Sequence, residues 1–317
     1  MPDVLFCSDD FWDERGEELV AIDPTIEVVR LVGSEHVTPS DLQRVTIAFH
    51  TPDLWRTRVS HFMGAALRCP NLTWMQTAAA GTDHETYRRL QEQGVTLTTG
   101  IGTTAPAIAQ TVMLYLLALS RDLPRLVRAQ AERRWSPGDS TDLEGMKIGI
   151  VGFGSIGHEV ARLAVAFGME PVGLRRVLRP EDPFPHWTND RFDELLGWAD
   201  AIVVAAPLNE DTRGLFDAAA FAKMKRGAWF VNVGRGHIVD EDALIAALVD
   251  DQVGGAGLDV FATEPLPADS PLWTMPNVII TPHCSGDTDS SNRRAVELTM
   301  ENFRRYTAGE PLLNQVE

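Results

Sequence analysis

The stretch Met146-Lys-Ile-Gly-Ile-Val-Gly-Phe-Gly-Ser-Ile-Gly157 decides the fold class of this chain. An apolar run typical of a buried strand ends at Val151, and glycines in the spacing G-x-G-x-x-G lead into a predicted helix. The spacing alone is weak evidence, but a preceding strand and a following helix make it specific for a Rossmann dinucleotide-binding turn. The first glycine allows the tight turn, the second admits a pyrophosphate to the backbone, and the third packs the helix on the strand. We expect the cofactor phosphates at the helix N-terminus, in contact with Gly152, Gly154, Ser155, Ile156 and Gly157.

Short apolar runs and helical segments alternate on both sides of this stretch, which is typical of a parallel α/β sheet. Further strands are predicted at residues 3–7, 28–32, 45–49, 71–77, 95–98, 170–174, 201–206, 228–233, 254–260 and 278–281. Long helices are predicted near 104–122 and 290–308, and another helix starts at Asp240.

The length of 317 residues suits two domains better than a single core. We predict an α/β protein of two Rossmann-like, doubly wound parallel-sheet domains with the active site in the cleft between them. Residues 1–100 plus 288–317 would form the substrate (catalytic) domain. Residues 101–287 would form the dinucleotide-binding domain.

Composition excludes several classes of function. The formal net charge of −17 would repel nucleic acids and anionic membranes. Cys7, Cys69 and Cys284 show no paired spacing, so neither a disulfide framework nor a metal site is expected. The N-terminus has no signal-peptide pattern, and the most apolar stretch, 105–119, is shorter than the roughly 20 residues that span a bilayer. These features predict a cytoplasmic protein with no nucleic-acid or membrane partner.

Two arginines follow the second strand of the dinucleotide-binding region. Arg175 lies 18 residues after Gly157, where NAD-selective sites usually carry an acidic residue that binds the ribose 2′-hydroxyl. Here Arg175 and Arg176 occupy this place, and the next carboxylate in the sequence is Glu181. Guanidinium groups suit a 2′-phosphate, so NADP(H) is favoured over NAD(H). The alternative is that the arginines stack on adenine or face solvent.

Three polar residues follow predicted buried strands farther along the chain: Arg235, Glu264 and His283. In an open parallel sheet the strand ends line one crevice, where ligands bind. A cation, a carboxylate and an imidazole in one small volume can grip an anionic substrate and move a proton. We therefore predict that these three residues are catalytic.

Long motifs around these residues carry a family resemblance. They are Ala206-Pro-Leu-Asn-Glu-Asp-Thr-Arg-Gly-Leu215, Val231-Asn-Val-Gly-Arg-Gly-His-Ile-Val-Asp-Glu-Asp-Ala-Leu244, Gly257-Leu-Asp-Val-Phe-Ala-Thr-Glu-Pro-Leu-Pro267 and Thr281-Pro-His-Cys-Ser-Gly286. In this order they resemble the D-isomer-specific 2-hydroxyacid dehydrogenase family, and the glyoxylate/hydroxypyruvate reductase branch in particular. The resemblance runs from about residue 70 to the C-terminus, whereas the first 70 residues match only in strand pattern.

The resemblance implies a role for each member of the trio. Arg235 would hold the substrate carboxylate and polarise its carbonyl group. His283 would exchange a proton with the substrate oxygen, and Glu264 would pair with His283 and orient its ring. Independently of the family, a carboxylate partner favours the protonated imidazole, which keeps a general acid available near neutral pH. A hydride would pass between the nicotinamide and C2 of the substrate.

The resemblance also implies further ligand contacts. Backbone N–H groups of Ala80 and Gly81 would bind the substrate carboxylate, in a loop where Ala79 replaces the glycine of many relatives. The remaining cofactor contacts would be Pro207, Thr212, Val233, Asp259, His283 and Ser285. Asp259 would contact the nicotinamide carboxamide, and Pro207 and Thr212 would lie near the adenosine and phosphates.

The leading hypothesis is an NADPH-dependent oxidoreductase that reduces small 2-keto acids, with glyoxylate or hydroxypyruvate as favoured substrates. One alternative is an NAD-dependent D-2-hydroxyacid or phosphoglycerate dehydrogenase. A phosphorylated substrate would need extra cations, for which Arg56, Arg58, Arg133 and Arg134 are candidates. An alternative of another class is a dinucleotide-sensing, corepressor-like binding protein. The family also implies a homodimer formed through the cofactor domain.

Overall fold

The computed structural model describes residues 2–33, 35–55 and 57–316. The chain divides into two compact units, 1–104 with 288–317 and 105–287. Each unit has its own parallel sheet, with five strands in the first and seven in the second. The predicted fold class of two parallel-sheet α/β domains is therefore confirmed.

The strands of the described residues are, in chain order, β1 Val4–Ser8, β2 Glu27–Leu31, β3 Ile47–His50, β4 Trp74–Thr77, β5 Thr96–Thr98, β6 Lys147–Val151, β7 Glu170–Arg175, β8 His186–Thr188, β9 Ala201–Val204, β10 Ala228–Asn232, β11 Val253–Leu258 and β12 Val278–Ile280. All eleven predicted strands are present. The sequence analysis missed β8, whose three residues are all partly exposed and show no apolar run.

The helices are α1 Asp9–Ile22, α2 Pro39–Leu42, α3 Val59–Ala66, α4 Glu85–Glu92, α5 Ala105–Ser120, α6 Leu123–Ala131, α7 Ser155–Ala166, α8 Phe192–Trp198, α9 Ala218–Lys223, α10 Glu241–Val249 and α11 Asp289–Ala308. Six of these helices, α1, α2, α4, α9, α10 and α11, follow a residue whose side chain accepts a hydrogen bond from a backbone N–H of the first turn. The Asp240 side chain, for example, accepts a hydrogen bond from the backbone N–H of Ala243 at the start of α10.

The first unit has the strand order β2-β1-β3-β4-β5. One face of its sheet packs on the C-terminal helix, because Phe303 of α11 meets Phe49 of β3 edge-on at 5.9 Å. The other face packs on α3, where Phe62 stacks on Phe6 of β1 at 4.5 Å. With both faces covered, strands β1 and β3 are buried along their whole length rather than alternating between buried and exposed, as is typical of parallel sheets.

The second unit has the strand order β12-β11-β10-β9-β6-β7-β8, so the direction of winding reverses between β6 and β9. Ligands of doubly wound sheets bind beyond the carboxyl ends of the strands at such a reversal. The glycine turn after β6 and the loop after β9 meet here, since a Cβ on Gly152 would lie 2.4 Å from the backbone nitrogen of Ala206. The fold thus places the dinucleotide turn at the switch point of its sheet.

Candidate active site

Arg235 follows β10 in a turn that Asn232 organises. The buried amide of Asn232 accepts a hydrogen bond from the Gly234 N–H at 3.0 Å through Oδ1 and donates one to the Arg235 carbonyl at 3.1 Å through Nδ2. The guanidinium of Arg235 donates to the Gly234 carbonyl at 2.9 Å. The strand end and its amide therefore hold the backbone of Arg235 in one conformation.

Glu264 and His283 form a hydrogen-bonded pair. Oε2 of Glu264 lies 2.8 Å from Nδ1 of His283, while Oε1 accepts a hydrogen bond from the Phe261 N–H at 2.9 Å. A carboxylate can only accept, so Nδ1 carries a proton and Nε2 is the ring nitrogen left for a ligand. The His283 side chain is 49% exposed, so that its ring is accessible. The structure therefore confirms the predicted pairing of these two residues.

The loop that carries His283 is held from below by Asp259. The carboxylate of Asp259 is buried and accepts hydrogen bonds from the N–H groups of Cys284 at 3.0 Å and Ser285 at 3.1 Å, and from the hydroxyls of Thr281 and Ser285. His283 itself has a φ of 51°, a left-handed conformation that needs support from its surroundings. The predicted role of Asp259 as a cofactor contact thus accompanies a structural role that sequence reasoning missed.

Tyr115 of α5 extends this network from the side. A Cβ on Gly257 would lie 2.4 Å from the Tyr115 ring, so the ring can pack against β11 only because residue 257 is glycine. The Tyr115 hydroxyl is hydrogen-bonded to the hydroxyl of Thr281, which donates to Asp259. Burial raises the pKa of Tyr115, so its hydroxyl stays protonated and can donate to Thr281.

The segments that carry Arg235 and Glu264 are in direct backbone contact. A Cβ on Gly236 would lie 1.9 Å from the carbonyl carbon of Phe261, and Glu241 accepts a hydrogen bond from the Ala262 N–H. Arg235, Glu264 and His283 follow three adjacent strands, β10, β11 and β12. The prediction that they occupy one edge of a parallel sheet is therefore confirmed.

The glycine turn after β6 has room for a pyrophosphate. Gly152 has a φ of 96°, and a Cβ on Gly157 would lie 2.6 Å from the Gly152 carbonyl oxygen, so both positions need glycine. A Cβ on Gly154, in contrast, would meet nothing within 4 Å among the described residues. Gly154 caps α7 without a side-chain hydrogen bond, which leaves the first N–H groups of the helix for an anion.

The two arginines after β7 have different environments. The Arg175 side chain is 13% exposed and its Nη1 lies 2.7 Å from Oδ2 of Asp182. The Arg176 side chain is 73% exposed and pairs with the equally exposed Asp211 at 3.2 Å. In the sequence the first carboxylate after these arginines is Glu181. The loop after β7 folds back, so that Asp182 lies beside Arg175. Arg176 is mostly in solvent, as the alternative interpretation allowed.

The remaining predicted contacts lie in ordered turns. The Thr212 hydroxyl donates to the Pro207 carbonyl at 2.7 Å and accepts from the Asn209 N–H at 2.9 Å. Val233 is buried at the end of β10, and Ser285 is buried against Asp259. Ala80 and Gly81 belong to the first unit, in the loop after β4, and Ala80 is exposed.

Two of the four cations proposed for a phosphorylated substrate, Arg58 and Arg134, are paired with carboxylates. Arg58 is buried among the carboxylates of Asp9, Asp10 and Asp53. Arg134 pairs with Glu132 at 2.8 Å, and Arg56 lies outside the described residues. The described part of the chain thus offers little support for the phosphorylated-substrate alternative.

The described residues offer neither a metal cluster nor a membrane-spanning helix. Residues 2–33, 35–55 and 57–316 contain no cluster of three or more His, Cys, Asp or Glu side chains that could hold a metal ion. No helix within these same ranges is long and apolar enough to cross a membrane.

Comparison with known proteins gives consistent matches. Residues 113–285 match the family model of the D-isomer specific 2-hydroxyacid dehydrogenase NAD binding domain. An (S)-sulfolactate dehydrogenase of Chromohalobacter salexigens is 37% identical over 79% of this chain and 82% of its own length. A hydroxypyruvate reductase of Thermotoga maritima is 35% identical over 74% of this chain and 78% of its own. The solved structure of a D-isomer specific 2-hydroxyacid dehydrogenase from Xanthobacter autotrophicus Py2, in complex with NADPH, superimposes with a TM-score of 0.81 at 32% identity, covering 100% of this chain and 98% of that one.

Proposed function

Because the chain belongs to the D-isomer specific 2-hydroxyacid dehydrogenase family and is an oxidoreductase acting on CH–OH groups, we propose that it reduces a small 2-keto acid with NADPH. Glyoxylate and hydroxypyruvate are the favoured substrates. The observation that carries the proposal is the hydrogen-bonded Glu264–His283 pair, with 2.8 Å between Oε2 and Nδ1. Glu264 follows β11, which lies beside β10, the strand that leads to Arg235. An acid–base pair and a cation at one sheet edge are suited to a keto acid.

The proton in this reaction comes from Nε2 of His283. Glu264 holds the Nδ1 proton, so Nε2 points its own proton at the carbonyl oxygen of a bound substrate. After transfer the ring is neutral and keeps its hydrogen bond to Glu264. Arg235 binds the substrate carboxylate and draws charge from the neighbouring carbonyl. In oxidation the same Nε2 accepts the hydroxyl proton.

The second unit would hold the dinucleotide. Gly152, Gly154 and the start of α7 suit its pyrophosphate, as the open space at Gly154 indicates. When bound, the nicotinamide supplies the hydride for C2 of the substrate. The first unit would bind the substrate, with the N–H groups of Ala80 and Gly81 as contacts implied by family resemblance.

The preference for NADPH rests on Arg175. Its guanidinium is mostly buried, and in the described part of the chain its Nε and Nη2 donate no hydrogen bond. A doubly charged 2′-phosphate would satisfy these donors with several charged oxygens, whereas a ribose hydroxyl offers a single uncharged acceptor. The NADPH bound to the Xanthobacter relative is consistent with this choice. A homodimer formed through the second unit is proposed from the family alone, and a cytoplasmic location is proposed from the cysteine usage and the N-terminal sequence.

A keto-acid panel tests the proposal. Loss of NADPH absorbance is followed with glyoxylate, hydroxypyruvate, pyruvate and phosphohydroxypyruvate, in parallel with NADH. The highest kcat/KM is expected for glyoxylate or hydroxypyruvate with NADPH. A preference for NADH would overturn the cofactor assignment, and a lack of turnover with every keto acid would favour the dinucleotide-sensing alternative.

A further inference from the structure

Asp182 is a buried carboxylate in the loop between β7 and β8. Its side chain is 2% exposed, and both of its oxygens are engaged: Oδ2 by Nη1 of Arg175 at 2.7 Å, and Oδ1 and Oδ2 by Nε2 of His158 at 2.8 Å. Burial by itself raises the pKa of Asp182, but the hydrogen bond and charge of His158 outweigh it, so its pKa lies below the ordinary value. Asp182 is therefore a buried, ionised side chain whose hydrogen-bond partners lie within the protein.

His158 connects this carboxylate to the phosphate-binding turn. The residue directly follows Gly157, and its Nδ1 lies 2.7 Å from the Gly154 carbonyl oxygen. Its Nε2 faces the carboxylate of Asp182. Both partners can only accept hydrogen bonds, so both bonds form together only when the ring carries two protons and a positive charge. The ring of His158 thus links the middle glycine of the turn to Asp182.

The loop that contains Asp182 is held by its own hydrogen bonds. The Asp182 N–H donates to the Arg179 carbonyl at 3.0 Å, and the Arg179 N–H donates to Nε2 of His186 at 3.0 Å. Nδ1 of His186 in turn lies 2.9 Å from the Phe184 carbonyl oxygen. The hydrogen bonds of this loop and of the short strand β8 therefore hold Asp182 beside Arg175.

Arg175 is the group on which this arrangement acts. It stands at the carboxyl end of β7, where doubly wound folds recognise the 2′ position of the adenosine ribose. One of its nitrogens is bound to Asp182, and Nε and Nη2 have no hydrogen-bond partner in the part of the chain that the structure describes. Because the Asp182 carboxylate is buried beneath Arg175 and His158, its effect on the cofactor passes through the guanidinium.

We propose that Asp182 and His158 are positioning residues for NADP(H), which together hold the Arg175 guanidinium in place to receive a 2′-phosphate. The guanidinium of Arg175 is the positive charge that would meet the phosphate, and Asp182 and His158 fix its position. The pairing with Asp182 also removes the rotamer freedom that a lone arginine would lose on binding. This inference rests on the proposed use of NADPH and adds two residues that sequence spacing did not single out.

Binding of three ligands tests the proposal by isothermal titration calorimetry. NADPH and 2′,5′-ADP carry the 2′-phosphate, and NADH lacks it. In the Asp182→Ala variant we expect the Kd values of NADPH and 2′,5′-ADP to rise by about 10-fold, the scale of one charge-assisted contact, and that of NADH by less than about 2-fold. Asp182→Asn keeps the volume and one acceptor for Arg175, so it should lie between the wild type and Asp182→Ala.

The matched control is Asp211→Ala. This carboxylate also pairs with an arginine of the same turn, but both partners are about three-quarters exposed, and exposed pairs contribute little. It should leave all three Kd values near those of the wild type. His158→Ala should weaken NADPH and 2′,5′-ADP binding in the same direction as Asp182→Ala, since it frees Asp182 from one of its two partners.

The outcomes separate this inference from the proposed function. If the wild type binds NADH more tightly than NADPH, the cofactor proposal fails. If the wild type prefers NADPH but Asp182→Ala and Asp182→Asn weaken all ligands equally, or tighten NADPH, the positioning role is wrong while the function stands. If Asp182→Ala melts far below the wild type, the comparison uses Asp182→Asn instead, because the asparagine side chain has nearly the same shape as aspartate.

Discussion

Gly236 lies so close to Phe261 that a Cβ on Gly236 would fall 1.9 Å from the Phe261 carbonyl carbon. Through this contact the segment of Arg235 rests directly on the segment of Glu264. The neighbouring atoms are backbone, which cannot rotate away as a side chain could. The spacing of Arg235 and Glu264, two proposed catalytic residues, therefore depends on the absence of a single methyl group.

Gly236→Ala should accordingly push the two segments apart. We expect a loss of at least about 2 kcal/mol in the free energy of unfolding, as for overpacked cores, and a fall in kcat of about 10-fold or more from misplaced catalytic groups. Urea denaturation and steady-state kinetics measure the two effects. Gly197→Ala is the control. Gly197 lies in helix α8, and its Cβ would meet a single described atom within 4 Å, the Lys223 carbonyl oxygen at 3.7 Å. Equal behaviour of the two variants would contradict the assigned role of the contact.

Glu264 should act on catalysis only through His283. We expect His283→Ala to lower kcat by roughly 10²- to 10⁴-fold, the usual contribution of a general acid, while NADPH binding persists. Glu264→Gln should cost less, because the amide keeps one hydrogen bond to the ring but loses the charge. The double variant should be no slower than His283→Ala alone, since residues that act as a unit are not additive. Additive losses would show that Glu264 has an independent role.

The glycine turn allows folding and cofactor binding to be separated. Gly154→Ala should leave the melting temperature unchanged, because the added Cβ contacts nothing within 4 Å in the described chain. It should nevertheless weaken dinucleotide binding by at least about 10-fold, since a pyrophosphate needs that space. Gly152→Ala should instead destabilise the protein, because its φ is 96° and its Cβ would meet the Ala206 backbone. Unimpaired binding by Gly154→Ala would place the phosphates elsewhere.

The buried side chain of His50 should make the stability of the first unit depend on pH. It is 1% exposed at the end of β3, with Nδ1 against the hydroxyls of Thr77 and Tyr87. Burial lowers the pKa of His50 from 6.5 to about 4, although the charge of Asp53 acts in the opposite direction. Between pH 6.5 and 4, His50 therefore binds a proton in the unfolded chain but not in the folded chain. The stability of the folded state falls as the pH drops through this range.

The size of this effect follows from the shift. About 3 kcal/mol of unfolding free energy is expected to be lost by pH 4 through His50. In His50→Leu this part of the pH dependence should disappear, whereas His61→Leu, which alters an exposed histidine of α3, should retain it. Urea denaturation at several pH values between 4 and 7 gives the comparison. Identical slopes for the wild type and His50→Leu would contradict the prediction.

Much of the fold could be predicted from local patterns. Buried strands such as β6 and β10 are short apolar runs, and parallel strands covered on both faces read this way wherever they lie. The short strand β8 escaped because its pattern, His186-Trp-Thr188, has no apolar run and its pairing with β7 depends on the neighbour. Arg235, Glu264 and His283 could be placed together because strand ends of one sheet share an edge, a rule that needs only strand order.

The sequence by itself determined the dinucleotide turn, since glycine spacing, strand and helix are local and follow from backbone sterics. It also placed Arg235, Glu264 and His283 at strand ends. Only the tertiary structure decided what surrounds them: the Asp259 network under His283, the contact of Gly236 with Phe261, and the return of Asp182 to Arg175. These depend on loop conformations and on pairings between residues distant in sequence or separated by a loop. No residue spacing encodes such pairings, because the energy of each depends on the packing of the whole unit.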